Sequence, residues 1–283
     1  MNSLMQIPII YNKKRWYFLS IFYAREKWNK LIQEILHFRE ERQDRFCHCL
    51  LFFSKERGEH IQVAFASSVD DDNSFTDEVQ TWFQSFLDQN PSTSKTPFPY
   101  GKALWCNYPN NSLIWNKFRL PEYSEQYIGF HQQTIELVLK LLDDDFSEDN
   151  FFSLGIYLLT KALCCIDSQE QRNVLSLALQ EASGNSSHFV YAAKELINKI
   201  DFYEVGETIE CYKNEDTNEY STKLVNWLNA IETLCVASPQ HIYNRLCFFI
   251  CKITGLIGLR QLMILELLNI CYNHSYKEFK SFG

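Results

Sequence analysis

The hydrophobic pattern of this chain changes character at Glu125, and that change limits it to two kinds of structure joined in order. Before Glu125, short runs rich in aromatic and β-branched residues, bounded by charge, read as strands. Trp16 to Tyr23 (WYFLSIFY) is the first and Phe46 to Ser54 the second. Glu59 to Ser67 is the third. There His60, Gln62, Ala64 and Ala66 alternate with Ile61, Val63 and Phe65, which sends the two sets to opposite faces. Between the first two strands, Arg25 to Phe38 carries Trp28, Leu31, Ile32, Ile35 and Leu36 at helical spacing. An acidic turn (Asp70, Asp71, Asp72) leads to a helix over Phe75 to Leu87. Asn90 to Tyr100 is rich in Pro, Ser and Thr and reads as a loop. Tyr100 to Asn116 reads as an extended hairpin turning at Tyr108-Pro109-Asn110-Asn111.

From Glu125 the period becomes helical. The spacing predicts helices over 125–143, 147–166, 168–182, 186–200, 219–236, 239–254 and 257–275, with the polar, acidic stretch Asp201 to Asn218 as a long loop. The fold class expected is α+β. A small N-terminal α/β layer (strand-helix-strand-strand, 1–118) precedes a mainly α-helical region (119–283), and the two are packed as one domain over 1–283. A chain of 283 residues that is 46% hydrophobic has ample material for a core.

The net charge of -8 argues against a broad nucleic-acid surface, because phosphate contacts need clustered Lys and Arg. Ten cysteines include no CxxC pair. The polar start at Asn2 and Ser3, with Lys13, Lys14 and Arg15 after the short apolar stretch, reverses the order of a signal peptide. The expectation is a cytoplasmic protein whose thiols stay reduced and act as small core hydrophobes. The most apolar segment, Leu246 to Cys271, is interrupted by Lys252, Arg260 and Glu266. It predicts no membrane span, but two buried helices or one broken near Gly255 and Gly258.

Three segments could carry chemistry. Ser238-Pro239-Gln240-His241-Ile242-Tyr243-Asn244-Arg245-Leu246 reads as a helix opening with Ser and Pro. His241 and Arg245 are four apart and share a face, with Asn244 beside them. A histidine there could move protons near neutral pH, and an arginine could hold a carboxylate in a fork; a structural helix start is the plainer alternative. Gly58-Glu59-His60-Ile61-Gln62-Val63-Ala64-Phe65 is either a polar strand face lining a cleft or an ordinary half-exposed strand. Leu120-Pro121-Glu122-Tyr123-Ser124-Glu125-Gln126-Tyr127-Ile128-Gly129-Phe130 is either a hydrogen-bonding rim or a helix start whose acids suit the dipole. Cys47-His48-Cys49 alternates along a strand, and Cys247 and Cys251 lack a matching pair, so neither has zinc-ligand spacing and no metal or other cofactor is expected. There is no phosphate-binding glycine loop, dinucleotide fingerprint or GxSxG elbow.

Taken in order, these segments resemble the C-terminal domain of lantibiotic dehydratases, which also occurs as a stand-alone thiopeptide-type bacteriocin biosynthesis protein. The resemblance runs over nearly the whole chain, from the aromatic strand at Trp16 onward. Phe52-Phe53 followed by GEHIQVAF looks like the family's aromatic strand and HxRxRF strand; PEYSEQYIGF looks like its E-x-x-R-Y-G-G segment; SPQHIYNRL looks like its H-x-x-N-R helix. The resemblance implies glutamate elimination from glutamylated Ser or Thr of a ribosomal precursor peptide, giving dehydroamino acids. It implies His241, Asn244 and Arg245 as catalytic residues, with Arg57, His60, Gln62, Gln126 and Tyr127 on the substrate. It also implies a separate glutamyl-tRNA-dependent glutamylating partner, with no direct tRNA binding by this chain. Gln62, Ala64 and Gln126 stand where that pattern has arginines. Each such replacement removes charge-assisted bonds of about 1.5–3 kcal/mol. Two alternatives to elimination follow from that gap. One is cycloaddition-type tailoring of a dehydrated peptide, since pyridine-forming thiopeptide enzymes resemble the same domain. The other is a non-catalytic subunit that binds the peptide or the partner.

Overall fold

The computed structural model describes residues 9–11, 14–67, 74–93, 107–115, 125–184, 187–216, 220–235 and 239–273. It bears out the α+β class: among the described residues the N-terminal part holds five antiparallel strands with two α-helices between them, and helices alone follow. The chain divides into two compact units, 1–135 with 144–147 and 136–143 with 148–283.

The first unit is built on β1 (Ile9–Tyr11), β2 (Lys14–Phe22), β3 (His48–Ser54), β4 (His60–Ser67) and β5 (Ser112–Trp115). The order is β1-β2-β4-β3, with β5 sharing the outer side of β2: β1 pairs with Lys14 to Trp16, and β5 with Leu19 to Phe22. Directly opposed residues share a face, so the register separates two sets. Tyr17, Leu19 and Ile21 line up with Phe65, Val63 and Ile61, and these with Cys49, Leu51 and Phe53. This face packs on α1 (Trp28–Glu41) and α2 (Ser74–Gln89). Phe38 of α1 lies 5.6 Å from Phe65, Phe75 of α2 lies 5.6 Å from Tyr17, and Trp28 stacks on Phe53 at 5.3 Å. Each fully buried aromatic contributes about 1.5–3 kcal/mol from desolvation alone.

The other face carries Trp16, Phe18, Ser20 and Phe22 against Ala66, Ala64, Gln62 and His60, and then His48, Leu50, Phe52 and Ser54. This corrects the reading of the third strand as half-exposed. Every residue of β4 is buried, because it is a central strand, hydrogen-bonded on both sides and packed on both faces. Alternation of polar and apolar residues marks exposure only where one face meets water.

The expected helices are present, with ends shifted by a few residues: α3 (Glu125–Leu142), α4 (Glu148–Cys164), α5 (Gln171–Ser183), α6 (Ser187–Ile197), α8 (Thr222–Cys235), α9 (Pro239–Thr254) and α10 (Leu259–Asn273). One reading is corrected. The loop expected at Asp201 to Asn218 is mostly a helix, α7 (Phe202–Asn214). Asp201 caps it by accepting from the Tyr203 and Glu204 amides, and among its described side chains a narrow stripe (Gly206, Ile209) is buried, so its composition reads as polar. Of the hairpin expected over Tyr100 to Asn116, residues 100–106 and 116 lie outside the described residues; within the described part Ser112–Trp115 pairs with β2. The break near Gly255 and Gly258 is as expected. Both glycines have positive φ, 71° and 65°, which ends α9 and turns the chain into α10.

Within the second unit α4 packs against α7, α9 and α10, and α10 also meets α5 and α6. Gly155 on α4 makes this approach possible: a Cβ there would stand 2.6 Å from Leu256 Cδ1 and 3.0 Å from Ile264 Cδ1.

Candidate functional site

Three of the residues singled out from sequence cluster around one end of the sheet. The β3–β4 turn places Arg57 (φ 60°) and Gly58 (φ 121°) in the left-handed region. That folds Arg57 over Tyr108, with its guanidinium 4.2 Å from the ring centre and Nη1 donating to the Tyr108 hydroxyl at 2.9 Å. Tyr108 packs on Phe22 at 5.0 Å, and Phe22 on His60 at 4.5 Å. His60 is fully buried and its Nδ1–H donates to the Gly58 carbonyl at 2.9 Å, which places a proton on Nδ1 and fixes the ring against the turn. Gln62 lies one pleat further along the same face, 2% exposed, opposite Ser20 and Phe52.

On α3, Tyr127 is half-buried, whereas the Gln126 side chain lies outside the described residues. One turn on stands His131, which sequence reasoning missed. Its Nε2–H donates to the Leu51 carbonyl at 2.9 Å, and its ring meets Phe52 edge-on at 4.4 Å. Burial pushes its pKa down to about 3, so it is neutral. Its place four residues after Tyr127, on the same helix face, is the signal that could have found it.

The register also bears on the missing arginines. Ala64 is fully buried between Phe18 and Leu50, so an arginine there would meet apolar neighbours. An open groove of about 590 Å³ between α1 and α2 involves none of the residues singled out from sequence. Its lining includes Glu34, Asp77, Glu78 and Trp82, and the Trp82 indole donates to Glu34 at 2.6 Å. A surface with that charge repels a glutamyl carboxylate.

The second unit holds the remaining three. α9 begins at Pro239, so His241, Asn244 and Arg245 stand on its first two turns as expected. The His241 and Asn244 side chains lie outside the described residues, and Arg245 is exposed. Tyr243, Cys247 and Cys251 face the core. Burial pushes the Tyr243 and Cys247 groups well up and the Cys251 thiol up to about 12, so none of them supplies a nucleophile near neutral pH.

A second polar cluster also escaped the sequence. Lys161 of α4 is 2% exposed and buries its ammonium against the Tyr212 carbonyl at 2.5 Å, the Glu215 carboxylate at 2.8 Å and the Tyr220 hydroxyl. Tyr157 donates to the same carboxylate at 3.1 Å. Burial alone would lower the lysine pKa; bonds from Glu215 and Tyr220 outweigh it and hold the pKa above its usual value. The three ammonium donors have three acceptors, which leaves the group little capacity for a ligand. No group of three or more His, Cys, Asp or Glu arranged for a metal occurs among the described residues, and no described helix is long and apolar enough to cross a membrane.

No family model and no curated protein matches this chain. Among solved structures it is similar to a pyridine synthase, TbtD, from thiomuracin biosynthesis, at 12% sequence identity and a TM-score of 0.62. The match covers 93% of this chain and 99% of that one, so the two share a fold from end to end.

Proposed function

We propose that this chain tailors ribosomally made precursor peptides, and that its reaction is the pyridine-forming cycloaddition of a dehydrated peptide rather than glutamate elimination. The observation that carries this reading is the near-complete match to a pyridine synthase. The closed face of β4 supports it, because elimination needs cations for the glutamyl carboxylate and Gln62 and Ala64 provide none.

The chemistry asks for proton transfer and hydrogen bonding. One dehydroalanine amide tautomerises to its hydroxy-imine form as a proton moves from nitrogen to oxygen. Two new carbon–carbon bonds to a second dehydroalanine then close a six-membered ring that contains that nitrogen. Loss of water, and of the carboxamide of the segment preceding the second residue, leaves a pyridine. His241 suits the proton transfer, with Asn244 and Arg245 hydrogen-bonded to the amide oxygen. In the first unit Arg57, Gln126 and Tyr127 contact the peptide, while buried His60 and Gln62 hold the strand and turn that present Arg57. A separate glutamyl-tRNA-dependent dehydratase supplies the dehydrated peptide, and the reaction needs no added cofactor.

Intact-mass analysis tests this. Dehydrated precursor peptide incubated with the protein is expected to yield a product lighter by water and by the carboxamide of its upstream segment. His241→Ala is expected to abolish that product. A glutamylated precursor that loses glutamate only when this protein is added would instead establish elimination. Neither change, with the peptide still bound, would establish a binding subunit.

A further inference from the structure

We infer that the exposed stripe of α9, formed by Arg245, Phe248 and Lys252, is a docking surface for an acidic, extended segment of the peptide substrate. The inference rests on the peptide-tailoring reading for its occupant, and on the geometry of one helix for its location.

Residues 245, 248 and 252 are spaced three and four apart, so they fall on one stripe. Tyr243, Leu246, Cys247, Phe249, Ile250, Cys251 and Ile253 are all buried, which leaves this stripe as the outward side of an otherwise internal helix. Arg245 is exposed, Phe248 is 45% exposed and Lys252 is partly exposed. One exposed phenylalanine is ordinary. An aromatic set between two cations along a helix is a recognition pattern, because it offers one apolar contact flanked by two charge-assisted donors.

The charges point to the sign of the occupant. Lys161, Lys194, Lys213, Lys223 and Arg260 of this unit each stand against a carboxylate. Lys140, Arg172 and Lys199 do not among the described residues, but they stand singly on separate elements, whereas Arg245 and Lys252 share one stripe. Arg245 and Lys252 have no such partner among the described residues. Lys252, in the last turn, complements the helix dipole. Arg245 lies in the N-terminal half, where a cation gains nothing from the dipole, so helix stability gives no reason for it. In a chain of net charge -8 this is a locally basic strip. Seven residues at 1.5 Å rise put Arg245 and Lys252 about 10 Å apart along the axis. An extended chain near 3.1 Å per residue covers that in about three residues. Two carboxylates three positions apart with an apolar residue between them match it. The stripe continues along the helix that carries His241, so a segment held there runs toward the residues assigned to proton transfer.

The test uses the full chain and a fluorescein-labelled twelve-residue peptide, four repeats of Glu-Leu-Ser, against a control with Lys for Glu. Anisotropy is expected to show binding of the acidic peptide that weakens with added salt, and little binding of the control. The double variant Phe248→Ser, Lys252→Glu alters only outward side chains. Its far-ultraviolet circular dichroism should match wild type, and its affinity for the acidic peptide should fall about tenfold. Equal binding of both peptides, unchanged affinity in the variant, or Phe248-dependent pelleting with phosphatidylglycerol vesicles in place of peptide binding overturns the inference. Precursor conversion separates the two proposals. Conversion with KM unchanged in the variant sinks the docking surface alone. Phe248-dependent peptide binding with no conversion by wild type sinks the reaction alone.

Discussion

The two units bury polar groups in opposite ways. In the sheet unit Ser20, Gln62 and a neutral His131 are buried without charge, and both His60 and His131 are tied to backbone carbonyls. In the helical unit Lys161 is buried as a cation, held by Glu215 and a ring of tyrosines. The difference follows from what each scaffold offers. A sheet supplies carbonyls at its edges and turns, which suit a single N–H donor. Helices that cross at several angles bring three or four side chains to one point, which suits an ion that needs several partners. Both arrangements are closed within the protein. Neither resembles an anion pocket waiting for glutamate, whereas α9 carries two cations, Arg245 and Lys252, on one outward stripe.

The largest test of that contrast is Gln62→Arg, which restores a cation that the lantibiotic dehydratase pattern has on this strand. The cross-strand neighbours are Ser20 and Phe52, neither of which carries a carboxylate to receive the charge. Burying an uncompensated cation there should cost about 3–5 kcal/mol in urea unfolding. A variant as stable as wild type that gains glutamate elimination would show that β4 does line an anion site. Lys161→Ala probes the other unit and should cost about 3 kcal/mol, because it leaves the Glu215 carboxylate and the Tyr212 carbonyl without their shared donor. Glu215→Gln should cost less, about 1 kcal/mol, since Glu215 is 37% exposed and water can serve the remaining groups. Equal losses from the two would mean that the lysine is not the organising charge.

Much of this was legible in sequence and some was not, for physical reasons. The strands at Trp16 and Glu59 and the helix starting at Pro239 follow from local pattern, because side-chain period and proline chemistry act within a few residues. The α7 helix was missed because its stability comes from the Asp201 cap and a narrow buried stripe, while Glu204, Glu207 and Glu210 give it the composition of a loop. The burial of His60 and Gln62 was missed because it depends on β3 and β2 pairing on either side, a tertiary fact. Lys161 is flanked by Thr160 and Ala162 in an apolar helix, and its partners are some fifty residues away. For the candidate site, the place of His241, Asn244 and Arg245 on the first two turns of a helix was readable, but the outward stripe through Phe248 needed the buried pattern of the whole helix.

An effect similar in size to that of Glu215→Gln carries a pH signature that separates the units. His131 has a folded pKa near 3, set by burial and only partly offset by its bond to Leu51, against about 6.5 when unfolded. Between those values the unfolded chain binds a proton that the folded chain does not, so stability rises with pH. It is fully present above about pH 6.5 and falls by about 1.4 kcal/mol for each unit below, down to the folded pKa. His131→Leu loses the bond to the Leu51 carbonyl, which should cost about 1–1.5 kcal/mol at pH 7.5. The variant no longer titrates at this position, so its deficit should shrink on acidification and reverse between about pH 5 and 6. Lys161→Ala should keep its deficit across the same range, because the lysine is charged in both folded and unfolded chains there. A His131→Leu deficit that stays constant from pH 7.5 to 5 would mean that the imidazole takes up a proton in the folded sheet unit. That would make the unit's buried polar face able to hold charge after all, and with it an anion.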